Sequence, residues 1–192
     1  VDAQIGFTLD MYNKVNDAYT AYEATVAAAT KDLAAVKDLF DKIGTPTVYS
    51  YNDIKAAKEA FANWCLTYGV EADDYTLDAF ESRLAIEVKR LVGGLEEAET
   101  AYNMIVEEAK KAAEDVKLAI NTTKYEDINI YSYEAVKALR AAYDAWANKY
   151  LKGNSFEGIN DKDLAAMSSV YDRLVKLEAM ANTLKENKKA ET

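Results

Sequence analysis

The sequence predicts an all-α protein: two tandem up-down-up three-helix bundles that arose by internal duplication, each with a long first helix. Three observations predict it, namely few helix breakers, apolar residues at every third or fourth position, and a second half that repeats the first. The 192 residues include one proline and seven glycines, so long stretches carry nothing that interrupts a helix. Apolar residues make up 50% of the chain and charged residues 29%, a balance typical of globular proteins.

A long first helix, which we call helix A, is predicted from Asp10 to Lys42. Gly44 and Pro46 are expected to end it and turn the chain. Its first turns, residues 9–22, lack an obvious cover within their own unit because the other helices are much shorter. The apolar positions that define its inner face advance by three or four residues: Leu9, Tyr12, Val15, Tyr19, Tyr22, Val26, Ala29, Leu33, Val36, Phe40 and Ile43.

Two shorter helices are predicted to complete the first unit. Ser50 followed by Asp53 has the spacing of a capping box and is expected to begin helix B, which Gly69 ends. An acidic turn at 71–74 suits the N-terminus of helix C. The apolar faces of the two helices comprise Ile54, Ala57, Phe61, Trp64 and Tyr68, then Leu77, Phe80, Leu84, Val88 and Leu91.

The second half of the chain repeats the first. Residues 48–69 align without gaps on residues 130–151, and eight of the 22 aligned pairs are identical, Trp64 with Trp146 among them. Helices A align at a spacing of 80 residues and helices C at 90, so the second B–C loop is longer. Matched aromatic residues in a matched frame predict a duplication, with domains at 1–93 and 94–192.

The adjacent glycines at the unit boundary, Gly93 and Gly94, allow two interpretations. The apolar positions continue across them, which favours one helix running from helix C into the next helix A. Each glycine costs about 1 kcal/mol in a helix interior, which favours a hinge or kink. On this energetic ground the hinge is the interpretation we favour.

The residue types argue against an enzyme, a metal site or a cofactor site. No histidine is present and Cys65 is the only cysteine, which removes histidine-based catalysis and ordinary zinc and di-iron sites. We expect Cys65 to be a buried or half-buried helix residue. The acidic loop at 154–163 lacks the spacing of an EF-hand, so we expect a plain loop with a helix cap. The other carboxylates are interpreted as solvated helix faces. No catalytic, cofactor-binding or metal-binding residue is predicted.

Charge and hydropathy narrow the class of partner. The net charge of −10 argues against nucleic acid and anionic lipid, which both bind cationic surfaces. No apolar run approaches the roughly 20 residues of a membrane span, so no membrane insertion is expected in this fragment. The chain begins at Val1 without a leader, and we expect a processed or excised piece. Another protein is the partner class that these observations leave.

Tyrosines mark the candidate binding surface. There are 14 of them, and tyrosine offers large contact area at low entropic cost. The tyrosines that flank the starts of the two helices B either pack the turn against helix A or form an exposed aromatic pair. Two further tyrosines, Tyr12 and Tyr19, lie on the uncovered start of helix A. If the tyrosines outside the apolar faces, including Tyr75 and Tyr125, form one contiguous exposed patch, a protein-binding function is favoured over a spacer function. The candidate protein-binding residues are Tyr12, Tyr19, Tyr49, Tyr51, Tyr131 and Tyr133.

Two stretches of the second unit carry a resemblance. YSYEAVKALRAAYDAW at 131–146 followed by INDKDLAAMSSVYDRLVKLEAM at 159–180 resembles the small helical repeats of Gram-positive surface proteins, including FIVAR-type modules. The resemblance implies a bacterial, extracellular module, attached to the cell surface or secreted, that acts as a spacer, adhesion or protein-binding region. No catalytic residue carries over. The alternative hypothesis is a specific binder of a host serum protein, immunoglobulin or albumin, acting through exposed helix faces.

Overall fold

The computed structural model describes residues 2–69 and 82–190, and within these ranges the chain is helical with no β-strand. The predicted all-α class is confirmed. The helices are α1 (Asp2–Ile43), α2 (Tyr51–Tyr68), α3 (Ser82–Thr122), α4 (Tyr133–Tyr150), α5 (Lys162–Ala165) and α6 (Met167–Ala190), with one 3-10 turn at Tyr125–Asp127.

Helix α1 is longer than predicted. It begins at Asp2 and ends at Ile43, where Gly44 takes a φ of +55°. A positive φ costs glycine little, so Gly44 ends the helix as predicted. The acidic turn at 71–74 and the predicted start of helix C fall outside the described residues.

Helix α3 runs through both glycines of the predicted boundary. Its 41 residues form one helix, so the favoured hinge is wrong. A Cβ on Gly94 would lie 2.5 Å from Cζ of Phe40, whereas a Cβ on Gly93 would meet nothing within 4 Å. Gly94 therefore accommodates the aromatic ring of α1, and the glycine permits a close approach of the two helices.

The chain divides into two compact units. Unit 1 comprises 1–44 and 53–97, and unit 2 comprises 45–52 and 98–192. The first part of α3 belongs to unit 1 and the rest to unit 2. The duplication boundary at 93/94 stays a prediction.

The core of unit 1 lies where α1, α2 and the first part of α3 meet. Ala29 on α1 is fully buried, and its carbonyl accepts a hydrogen bond of 2.9 Å from Nε1 of Trp64 on α2. A small residue at this position lets the indole approach the backbone of α1. The other buried apolar residues include Leu33, Val36, Ile54, Phe61, Leu84, Val88 and Leu91.

Unit 2 repeats this arrangement. Nε1 of Trp146 on α4 donates a 3.0 Å hydrogen bond to the carbonyl of Ala109 on α3, and Ala109 is again fully buried. The same indole-to-carbonyl bond therefore recurs with aligned residues in each unit. The remaining core residues include Val106, Ile120, Val136, Leu164, Met167, Leu174 and Leu177.

Ser50 and Ser132, the aligned serines expected to begin helices B, make the same turn contact. Each hydroxyl accepts the backbone N–H of the residue three positions earlier, Thr47 or Asn129, at 2.9 Å. Ser132 makes no side-chain capping bond to its helix. The duplicated serine thus closes the turn before the helix, a role that the capping-box interpretation missed.

Candidate protein-binding surfaces

Tyr49 is engaged within unit 2. Its hydroxyl accepts the backbone N–H of Lys152 at 2.9 Å and donates to the carbonyl of Ser155 at 2.6 Å. The ammonium of Lys152 also lies 5.2 Å from the centre of the ring. Tyr49 is half-buried and fixes the loop between α4 and α5, so its polar tip already has partners in this chain.

Tyr51 packs on α3 in the same unit. Its ring centre lies 6.1 Å from that of Tyr102, and Tyr51 is half-buried. Burial, followed by the negative charge of Asp161, raises the pKa of Tyr102. Tyr49 and Tyr51 therefore both contribute to the packing of unit 2.

Tyr131 and Tyr133, aligned with this pair, contact a different part of unit 2. Tyr131 is 77% exposed, with Nζ of Lys188 4.5 Å from its ring centre. Tyr133 is half-buried, with Nζ of Lys185 3.1 Å from its ring centre. Ile130 is also exposed. Together these residues form an aromatic and basic surface beside the end of α6, which we call the Tyr131 surface.

Tyr12 and Tyr19 lie on the first half of α1, and both are exposed. Three apolar residues on the same part of the helix are exposed as well, namely Ile5, Leu9 and Val15. The sequence pointed to an uncovered face at 9–22, and the structure extends it to Ile5.

The tyrosines outside the apolar faces have dissimilar environments. Tyr125 is half-buried beneath Arg173, whose guanidinium carbon lies 4.5 Å from the ring centre. Nε of Arg173 donates to the carbonyl of Ile120 at 3.1 Å, which satisfies a carbonyl at the end of α3. Tyr75, and the side chain of Arg83 that aligns with Arg173, lie outside the described residues. The environments of the described tyrosines therefore range from exposed Tyr131 to hydrogen-bonded Tyr49, and a single contiguous patch stays a prediction.

A charged pair between α4 and α6 was not found from the sequence. Nε of Arg140 donates to Oε1 of Glu178 at 2.7 Å, and its Nη2 donates to Oε2 of the same carboxylate. This bidentate bond raises the pKa of the guanidinium further above its usual value. The guanidinium carbon also lies 5.2 Å from the ring centre of Tyr171. Nothing in the local sequence indicates which carboxylate faces Arg140.

Tyr143 carries a buried hydroxyl that has no hydrogen-bond partner among the described residues. The side chain is fully buried on α4. Burial raises its pKa to about 12, and the neighbouring Tyr171 adds to the shift. Its aligned residue in unit 1 is Phe61, which has no hydroxyl to satisfy.

The acidic loop before α5 ends in a helix cap, as predicted. Oδ1 of Asp161 accepts the backbone N–H groups of Asp163 and Leu164, each at 3.0 Å. Nζ of Lys110 lies 3.4 Å from Oδ2 of Asp163. The hydrogen bond that Lys110 donates to Glu107 and the charge of Asp161 help to raise the pKa of Lys110 to about 12.

The described residues hold no group of three or more His, Cys, Asp or Glu side chains placed to bind a metal ion. Cys65 is buried, as predicted, and burial raises the pKa of its thiol. A buried thiol with a raised pKa is a poor nucleophile.

No helix in the described ranges is long and apolar enough to cross a membrane. No protein-family model matches the chain, and no characterised protein or solved structure matches it. The resemblance to FIVAR-type modules therefore stays a prediction from the sequence.

Proposed function

We propose that the chain is a pair of tandem three-helix bundles that acts, without catalysis, as a spacer, adhesion or protein-binding region of a bacterial cell-surface or secreted protein. In the first bundle α1, α2 and the first part of α3 serve as helices A, B and C. In the second, the rest of α3, α4 and the α5–α6 segment take these roles. The observation that carries the proposal is the recurrence of the buried tryptophan-to-alanine bond in each unit.

The shared helix favours the spacer role. Helix α3 supplies residues to both units, so the two modules are joined by a helix instead of a flexible loop. Gly94, the residue most expected to weaken this junction, packs against Phe40. Tyr49 and Tyr51 likewise contribute to internal packing. The hydroxyl of Tyr49 and the backbone at Gly94 are used for contacts within this chain, which suits a spacer better than a binding module.

Labelling of intact cells tests the location. An antibody raised against the whole chain should stain unpermeabilised source cells, and external protease should remove the signal. An antibody against a cytosolic protein of the same cells serves as the control. Staining that appears only after permeabilisation would contradict a surface or secreted location.

Binding of a host serum protein is the second candidate, favoured by the Tyr131 surface. Binding hot spots are enriched in tyrosine, and Tyr131 is the most exposed of the six candidate tyrosines. The whole chain should then enrich immunoglobulin or albumin from serum. Tyr131→Ala should lose the enrichment, whereas Met104→Ala, which truncates an exposed apolar residue of unit 2 on α3, should keep it. No enrichment of any serum protein would eliminate this candidate.

A further inference from the structure

We infer that the first half of α1 is the third helix of a further three-helix unit of the same repeat, and that its apolar stripe docks the A and B helices of that unit. This inference rests on the proposed tandem architecture and goes beyond it by assigning an occupant to an exposed face. The stripe is defined here as Ile5, Leu9, Tyr12 and Val15.

The stripe has the composition and spacing of a buried helix face. Its four residues lie on successive turns, and their exposed fractions range from 59 to 67%. Beyond Tyr19 and Tyr22 the same face continues into Ala29 and Leu33, which are buried in unit 1. Contiguous exposed apolar residues on a helix mark a surface that is covered by a partner.

The equivalent stretch of α3 shows what covers such a face. Ile5, Leu9 and Tyr12 are separated by four and three residues, as are Leu84, Val88 and Leu91. Val15 and Leu95, which align at the 80-residue spacing of helices A, come next on each face. The three earlier pairs lie 79 residues apart, because Val15 follows Tyr12 by three residues and Leu95 follows Leu91 by four. The four α3 residues are each no more than 5% exposed, because α1 and α2 pack with this part of α3 in unit 1.

Helix α3 shows how one long helix can serve two units. Residues 82–97 of α3 belong to unit 1, and residues 98–122 belong to unit 2. The same division of α1 assigns its first half to a unit that precedes unit 1 in the order of the repeat.

A second copy of the chain is a poorer occupant. The face of α4 that receives a third helix already packs with α6. The α1 stripe of a second copy would supply one helix, whereas the equivalent stretch of α3 lies in a unit with two other helices. The occupant that reproduces the packing of Leu84, Val88 and Leu91 is an unfilled A–B helix pair.

A fusion of this chain with one extra helix pair tests the inference. A copy of residues 95–170 placed directly before Asp2 supplies helices A and B. Ile5 then occupies the position, four residues after Val170, that Leu174 occupies in unit 2. Amide hydrogen exchange of residues 5–15 should slow at least tenfold in the fusion relative to the unfused chain. The added tryptophan, the copy of Trp146, should show the fluorescence of a buried indole.

Matched variants separate the stripe from the rest of the helix. In the fusion, Tyr12→Lys should return exchange to the unfused rate, whereas Phe7→Lys, on an equally exposed residue outside the stripe, should not. In the unfused chain Tyr12→Lys should leave the melting temperature unchanged.

Three results would overturn the inference. The first is unchanged exchange in the fusion. The second is an added segment that stays unfolded even with Arg140→Ala in the copy. This variant is needed because Leu9 takes the place of Glu178 in the fusion and leaves the copied Arg140 without its carboxylate. The third is a micromolar dimer of the unfused chain with protected stripe amides. The serum and cell-labelling experiments do not depend on the stripe, so their failure is distinguishable from each of these.

Discussion

Replacing Tyr143 by phenylalanine should stabilise the protein. The hydroxyl is buried without a hydrogen-bond partner among the described residues, and such a group costs about 1–3 kcal/mol. Part of this gain is offset because the lost oxygen leaves a small void. We expect Tyr143→Phe to raise the free energy of unfolding by about 1 kcal/mol, or the melting temperature by about 2–4 °C for a protein of this size.

Urea denaturation followed by tryptophan fluorescence measures the change. Both proteins should carry Trp64→Phe, so that the signal comes from Trp146, which lies beside Tyr143 with ring centres 5.8 Å apart. The midpoint should move to higher urea while the slope m is unchanged, because the surface exposed on unfolding is the same.

The dependence of stability on alkaline pH independently checks the sign of this effect. The pKa of Tyr143 is raised to about 12 in the folded protein, against about 10 in the unfolded chain. As the pH rises, the unfolded state therefore releases the Tyr143 proton first. Its neutral hydroxyl contributes fully to the free energy of unfolding below pH ~10. Above this pH the contribution is lost at about 1.4 kcal/mol per pH unit, up to the pKa of the folded protein. The stability advantage of Tyr143→Phe should grow over this range.

Tyr150→Phe on the same helix is the matched control. Its hydroxyl donates to Glu108 at 2.9 Å, so its removal should leave the free energy of unfolding unchanged or lower it. If Tyr143→Phe destabilised the protein by about 1 kcal/mol or more, the hydroxyl would have a bonding partner and the argument would be refuted.

Five further substitutions test other contacts. Gly93→Ala places the new methyl group in open space and should raise the free energy of unfolding by up to about 1 kcal/mol. Gly94→Ala should lower it by about 1–3 kcal/mol, because the ring of Phe40 must move. Thermal melts of the two variants check this. Trp146→Phe should cost about 1–3 kcal/mol through its lost bond and volume, and an unchanged melt would contradict the core. Tyr49→Phe should cost about 1 kcal/mol by removing two hydrogen bonds, while Tyr131→Phe should cost nothing measurable.

The fold class followed from the sequence because helical periodicity and duplication are local patterns. Trp64 and Trp146 align, and the structure gives them the same bond to Ala29 and Ala109. A tryptophan on a helix face predicts burial. Its alignment in both halves predicts that the burial is repeated.

The errors arose where a distant residue decides the outcome. Gly94 was assigned to a hinge because its contact, Phe40, lies far away along the chain. Tyr49 and Tyr131 are identical aligned residues, yet Tyr49 meets the loop at 152–155 and Tyr131 meets Lys188. Single-sequence patterns carry no information on which segment lies opposite a side chain, so the candidate surface was only partly foreseeable.

The account depends most on α3 being one helix shared by the two units. Amide hydrogen exchange of the intact chain, resolved for residues 90–98, tests this directly. We expect the amides around Gly93 and Gly94 to be as strongly protected as their helical neighbours, since each bonds to a carbonyl four residues earlier. Exchange at the rate of an unstructured peptide, confined to Gly93 and the residues after it, would show a hinge and contradict the account.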